Sequence, residues 1–200
     1  MASRWAGSGR RVLYASNGGG MSLHALLEVM APPLQPIEAV DIRNWEIYEL
    51  TTGIVLPDDY KAYLNVYGTG IIGGIITPYN PFCRRAAWKP SYTCRNWIRQ
   101  ALGIQKAKHT FGEDIFPYSL YPETGGVLPW GSTDNGDQLF WLTSGEPNTW
   151  TILIQEVRSS HFHTFDYSMT EFLRAWIEGE IKSGIIPYDA IDHDLLFEPF

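Results

Sequence analysis

The chain has few of the residues from which extracellular scaffolds and metal sites are built. It contains 2 cysteines in 200 residues, Cys83 and Cys94. Two cysteines cannot form a disulfide framework, and a structural zinc site needs about four ligands. We therefore expect both side chains to be reduced thiols in a cytoplasmic protein.

Long apolar runs are also missing. No stretch approaches the roughly 18–20 consecutive apolar residues that a membrane helix needs. Near the N-terminus, only "VLYA" follows Arg10 and Arg11, which is shorter than the apolar core of about 7–15 residues in a signal peptide. The sequence predicts neither an export signal nor a membrane contact.

Acidic residues are absent between Asp59 and Glu113, and the charge of the chain is uneven. Residues 1–112 hold 12 Lys or Arg and 7 Asp or Glu, a net charge of +5. Residues 113–200 hold 3 Lys or Arg and 15 Asp or Glu, a net charge of −12. The total of −7 argues against a direct nucleic-acid ligand. Either the two halves neutralise each other, or the acidic half faces a basic partner.

The order of elements predicts an α+β fold. Residues 1–20 end in a glycine run and are expected to be a flexible leader, followed by one domain over residues 21–200. Apolar spacing and helix-stop glycines predict helices that begin at Met21, span Ile37–Thr52, cover residues 58–67, span Tyr92–Leu102 and follow Ser168. Short β-prone runs lie near residues 70–78 and from residue 127 to residue 165, which favours a largely antiparallel sheet.

The stretch "GVLPWGSTDNGDQLFWL" at residues 126–142 carries the most suggestive chemistry. A calcium loop needs ligands at alternate positions and a glutamate at the twelfth, but the twelfth residue from Asp134 is Gly145. Asp134 and Asp137 as a general acid and base would need a cleft between them. Asn-Gly is typical of a type I′ hairpin turn, and this is the interpretation we favour.

Other candidates for chemistry are weaker. His161 and His163 share one face of a predicted strand, and His193 could join them as a third metal ligand, although surface histidines are commoner. Neither a nucleophile motif nor a phosphate loop is present. Trp130, Trp141 and Trp150 fit either a core or a sugar-stacking platform. We expect a binding protein without catalytic residues, cofactor or metal.

Two segments resemble the SUKH superfamily, in particular the branch related to the fungal cell-wall assembly regulator. The first is "YELTTGIVLPDDYKAYLNVYGTGIIGG" at residues 48–74, and the second runs from "PETGGVLPWGSTDNGDQLFWL" through the final helix at residues 122–181. The resemblance implies a central, mostly antiparallel sheet with helices packed around it. It also implies architectural roles for Glu49, Gly53, Leu56, Pro57, Tyr60, Gly131, Gly136 and Phe172. Residues 1–36 and the insert at 83–100 depart from the family pattern.

The resemblance further implies a function class. Many bacterial members are immunity proteins that neutralise a toxin, often a nuclease, and others are scaffolds or regulators without enzymatic activity. We expect an acidic face that masks a basic toxin domain, formed by Glu113, Asp114, Trp130, Asp134, Asp137 and Glu146. A scaffold unconnected with toxins is the alternative, and a carbohydrate-binding module or enzyme is a third.

Overall fold

A computed structural model of the chain describes residues 19–84, 116–157 and 159–200. Within these ranges the α-helices are α1 (Gly19–Val29), α2 (Ile42–Thr52), α3 (Asp58–Val66) and α4 (Met169–Ile177). Its strands are β1 (Gly70–Ile72), β2 (Ile76–Pro78), β3 (Val127–Thr133), β4 (Gln138–Leu142), β5 (Thr151–Gln155), β6 (Phe162–Phe165) and β7 (Phe197–Pro199). The predicted leader, up to residue 18, and the predicted helix Tyr92–Leu102 lie outside the described residues, as does Cys94.

The strands form one antiparallel sheet in the order β6-β5-β4-β3-β2-β1-β7. The predicted α+β fold is confirmed. The C-terminal tail, residues 184–200, contributes an edge strand, because Gly70 pairs with Pro199 and Ile72 pairs with Phe197. In the described ranges, no helix is long and apolar enough to cross a membrane.

Both faces of the sheet are covered, and side-chain alternation along the strands explains how. Leu139 and Trp141 on β4 point into the core beneath the helices, whereas Phe140 between them joins a smaller cluster on the opposite face. That smaller cluster consists of Phe116, Val127, Phe140 and Leu153. The central strands are therefore buried from both sides, which explains why β3 is buried along its whole length.

Helix α2 begins later than its apolar pattern predicts. The Asp41 side chain accepts the Arg43 N–H at 2.9 Å and caps the helix, so the helix starts at Ile42 and not at Ile37. The residues before it bond to the end of α3 instead, since the Val40 N–H donates to the Leu64 carbonyl at 3.2 Å. The predicted stop at Gly53 is confirmed, with a left-handed φ of 70°.

The first family segment holds α2, α3 and the sheet together. Glu49 on α2 accepts a hydrogen bond from Lys61 Nζ on α3 at 2.9 Å. Leu56 and Pro57 are buried where the chain enters α3. Tyr60 is fully buried, and its hydroxyl donates to the Tyr79 carbonyl just beyond β2.

The second family segment supplies the central strands and α4. Gly131 lies where β3 approaches β2 so closely that a Cβ would meet the Thr77 carbonyl oxygen at 3.0 Å. Phe172 on α4 is fully buried, with its ring 5.3 Å from that of Phe165 on β6. Helix α4 follows Ser168 as predicted, and it starts with a capping box in which the Ser168 N–H donates to the Glu171 carboxylate at 3.0 Å.

Candidate protein-binding surface

Trp130 was expected on a partner-binding face, but it belongs to the core. Its side chain is fully buried on β3, and its ring lies 6.3 Å from those of Trp141 and Phe172. Since β3 is a central strand covered on both faces, an indole at this position cannot touch a partner. The expectation for Trp130 is corrected.

Asp137 is also buried, with 4% of its surface exposed. One carboxylate oxygen accepts the Thr133 hydroxyl at 2.8 Å, and the other accepts the Val157 N–H at 3.0 Å. The side chain therefore ties the β3–β4 hairpin to the connection between β5 and β6. Its role here is structural, which corrects the expectation of a recognition acid.

The predicted hairpin is confirmed, but its turn is of another type. The Gly136 N–H donates to the Thr133 carbonyl at 3.0 Å, and the Thr133 N–H donates to the Asp137 carbonyl at 3.0 Å. Only Gly136 within the loop has a positive φ, at 93°, whereas a type I′ turn requires two such residues. The loop is a three-residue turn closed by a left-handed glycine.

Of the remaining predicted contact residues, the two that the structure describes do not share a surface. Asp134 and Glu146 are both exposed. Asp134 precedes β4 and Glu146 follows it, so the length of a five-residue strand, roughly 17 Å, separates their ends of the sheet. Glu113 and Asp114 lie outside the described residues.

Asp134 instead belongs to a surface formed with the C-terminal tail. The Asp134 N–H donates to the Ile75 carbonyl at 3.0 Å, and the Asp192 N–H donates to the Gly73 carbonyl at 3.0 Å. The β1–β2 turn thus lies between the hairpin and the tail. Two acidic residues more than fifty positions apart in sequence flank this turn at the same end of the sheet.

A cleft joins this surface to the β5–β6 connection. Its volume is about 360 Å³, and its lining combines hairpin, strand connection and tail. The lining residues are Asn135, Asp137, Glu156, Val157, Gly184, Ile185 and Pro187. The three segments therefore form one continuous surface at this end of the sheet.

Large apolar side chains are exposed on the same segments. Val157 is 45% exposed, Tyr188 is 44% exposed and Leu195 is 48% exposed. The Tyr188 ring lies 4.9 Å from that of His193, so the two side chains pack together within the tail. We call the surface formed by Asp134, Glu156, Val157, Tyr188, Asp189, Asp192, Asp194 and Leu195 the acidic end.

The acidic end carries a marked excess of carboxylates. Asp134, Asp189 and Asp194 are exposed. Among the described residues of the hairpin, of the β5–β6 connection and of the chain from 182 to 195, the exposed Lys or Arg is Lys182. Arg158, in the β5–β6 connection, lies outside the described residues. Hydrogen bonds from the Ser159 hydroxyl and from His161 lower the pKa of the Glu156 carboxyl, which keeps this group ionised.

The other chemical candidates are not assembled into a site. Within the described ranges, no group of three His, Cys, Asp or Glu side chains is placed to hold a metal ion. His163 contacts Ser183 Oγ at 3.0 Å, while His161 contacts Glu156 at 3.2 Å. Trp130, Trp141 and Trp150 are all buried, so they do not form the sugar-stacking platform.

Sequence reasoning missed the contribution of the tail. Asp189, Asp192 and Asp194 fall within six residues, between Tyr188 and Leu195. This alternation of acids with large apolar residues was available as a signal. The position of the tail near the hairpin could not be predicted from the sequence, because only the pairing of β7 with β1 brings the tail back to the β1–β2 turn.

Comparison with known proteins identifies one family. The SUKH_6 family model, described as SMI1-KNR4 cell-wall, matches residues 42–173. This range runs from the start of α2 into α4 and leaves out the tail of the acidic end. No curated protein and no solved structure matches the chain.

Proposed function

Because the chain belongs to the SUKH_6 family, we propose that it is a non-enzymatic, cytoplasmic immunity-type protein. In this proposal it binds a basic toxin domain, such as a nuclease, and neutralises it by masking. The acidic end is the binding surface. The observation that carries the proposal is the combination of exposed carboxylates with exposed apolar side chains on one continuous surface.

That combination is the usual anatomy of a protein interface. Binding energy concentrates in a few large side chains near the centre, with aromatic residues over-represented, and polar groups surround them. At the acidic end, Tyr188 and Val157 supply the large side chains beside the cleft, and Asp134 and Asp194 supply charge around them. A partner rich in Lys and Arg complements this surface.

The masking mechanism needs no chemical step. A nuclease holds phosphates with a positive surface, and carboxylates placed on that surface block substrate by charge and by volume. Complementary charge also speeds the encounter. Because exposed charges are screened over a Debye length of about 8–10 Å at 0.1–0.15 M salt, the association should weaken as salt is added.

Affinity capture with matched charge variants tests the proposal. The tagged protein is incubated with lysate of its source at low and high salt, and captured proteins are identified by mass spectrometry. Asp134→Asn/Asp194→Asn removes two exposed charges from the acidic end. Glu123→Gln/Glu146→Gln removes two exposed charges elsewhere and is the control.

The outcomes are distinct. Capture of a protein with a basic toxin domain by the wild type and the control, but weakly by the acidic-end variant, supports the proposal. Equal capture by all three proteins would show that the acidic end is not the binding surface. If only cellular regulatory or cell-wall proteins are captured, the chain is a scaffold or regulator and the toxin proposal is wrong.

A further inference from the structure

In the described part of the chain, one face of α2 carries three large apolar side chains that are exposed. Ile42 is 72% exposed, Ile47 is 64% exposed and Leu50 is 89% exposed. Trp45, on the opposite face, is 3% exposed and anchors the helix to the core. Single exposed apolar residues are ordinary, but three on one face of an 11-residue helix form a patch.

Helical periodicity places opposite charges in the middle of this patch. At about 100° per residue, Leu50, Arg43 and Glu46 project within about 60° of one another. Ile42 and Ile47 lie on the two sides of this arc. All five side chains are exposed.

The segment Ile42-Arg43-Asn44-Trp45-Glu46-Ile47 is self-complementary when reversed. Its ends are both Ile, and the residues inside them are a cation and an anion. In an antiparallel arrangement of two α2 helices, Arg43 of each copy lies opposite Glu46 of the other. Ile47 of each copy lies opposite Ile42 of the other, with Leu50 one turn beyond.

We propose that α2 is the contact between two copies of this chain, which form a two-fold dimer with antiparallel α2 helices. A two-fold contact requires a surface that complements itself, and the paired Ile and the inverted charges meet this requirement. Two Arg43–Glu46 pairs occupy the centre of the contact. At each end, Ile42 of one copy packs with Ile47 and Leu50 of the other.

The dimer leaves the acidic end free. The chain leaving α2 reaches Asp58, whose N–H donates to Asn148 Oδ1 at 2.8 Å. Asn148 follows β4, whereas the acidic end lies at the hairpin before β4. The contact of two copies and the binding of a partner therefore use different surfaces, and each is tested separately.

Sedimentation velocity over a wide range of concentrations tests the proposal with the full chain. The wild type should show a monomer–dimer equilibrium. Leu50→Glu should raise the dimer dissociation constant at least about tenfold, which corresponds to ~1.4 kcal/mol. Leu195→Glu places the same charge at another exposed leucine, at the acidic end and away from α2, and should leave the equilibrium unchanged.

Charge reversal identifies the orientation of the helices. Arg43→Glu or Glu46→Arg alone places like charges opposite each other twice and should weaken the dimer several-fold. The double reversal R43E/E46R restores both pairs and should restore the affinity. Circular dichroism melting of each variant verifies that α2 remains folded.

Three results would overturn the proposal. The wild type could remain monomeric at every concentration, or the dimer could be unaffected by Leu50→Glu and by the single reversals. The third result is a melting temperature of Leu50→Glu below that of the wild type at a concentration where both are monomeric, which would show that another part of the same chain covers this face.

Discussion

The carboxylate of Asp59 on α3 accepts the backbone N–H of Thr170 on α4 at 2.9 Å. Thr170 lies in the first turn of α4, where N–H groups have no partner within the helix. Asp59 thus caps a helix that begins 110 residues later in the chain. Its other oxygen accepts the Tyr60 N–H at 2.8 Å, and Thr170 Oγ1 reaches Ser22 Oγ on α1 at 2.8 Å.

Asp59→Ala should destabilise the protein by about 1–3 kcal/mol, because it leaves buried N–H groups without acceptors. Urea unfolding followed by circular dichroism measures the change. Asp59→Asn, which keeps one acceptor oxygen and the shape of the side chain, should cost less. Unfolding curves of Asp59→Ala that match the wild type would show that the cap contributes nothing.

Asp59 also predicts a dependence of stability on pH. Burial raises the pKa of its carboxyl above the ordinary value of 3.8, although hydrogen bonds from Thr170 and Tyr60 oppose this. A raised native pKa means that the folded state holds the proton more tightly than the unfolded state. The stability that this tighter proton binding contributes is fully present below pH 3.8. It is lost as pH rises through the native pKa of Asp59.

The neutral variant isolates this effect. The free energy of unfolding of the wild type minus that of Asp59→Asn should fall as pH rises above 3.8 and then become constant. Urea titrations at a series of pH values give both quantities. A difference that rises with pH over this window would mean that the native pKa is lowered, and the argument from burial would be wrong.

Substitution of two glycines by alanine distinguishes the cost of backbone strain from the cost of a steric clash. Gly53 and Gly68 both have a φ of 70°, so an alanine at either position is strained by about 1–2 kcal/mol. A Cβ at Gly53 meets nothing within 4 Å, whereas a Cβ at Gly68 would lie 2.1 Å from the Ile37 carbonyl oxygen. Gly68→Ala should therefore lower the melting temperature well below that of Gly53→Ala. Equal melting temperatures would mean that the Ile37 segment moves away without cost.

Asp134 and Asp137 offer a test of surface against structure within one hairpin. Asp137→Ala should cost about 1–3 kcal/mol, since the Val157 N–H and the Thr133 hydroxyl lose their acceptor. Asp134→Ala should stay within about 0.5 kcal/mol of the wild type, as exposed substitutions usually do. Thermal melts of both variants measure the difference, and a large loss of stability in Asp134→Ala would contradict its assignment to a free surface.

The strand pattern, the end of α2 and the start of α4 were predictable because their causes are local. Gly53 stops α2 through its own left-handed conformation, and the Ser168 capping box starts α4 within four residues. The start of α2 was not predictable from apolar spacing, since Val40, just before it, is held by a hydrogen bond to Leu64 on α3. The turn type at Asn135-Gly136 also differed. The Thr133 hydroxyl accepts the Asp137 N–H and donates to the Asp137 carboxylate, and the register of β3 with β4 leaves three residues in the loop.

The sequence by itself determined the α+β class, the antiparallel sheet, the hairpin at residues 133–137 and membership of the family. Each of these depends on periodicity, on turn chemistry or on motifs within short segments. Only the tertiary structure decided which acids lie at the surface together. It buried Trp130 and Asp137, separated Asp134 from Glu146 by the length of β4, and placed Asp134 and Asp192 on the two sides of the β1–β2 turn. The physical reason is that exposure and proximity depend on strand order and on contacts between distant segments, which no local pattern encodes.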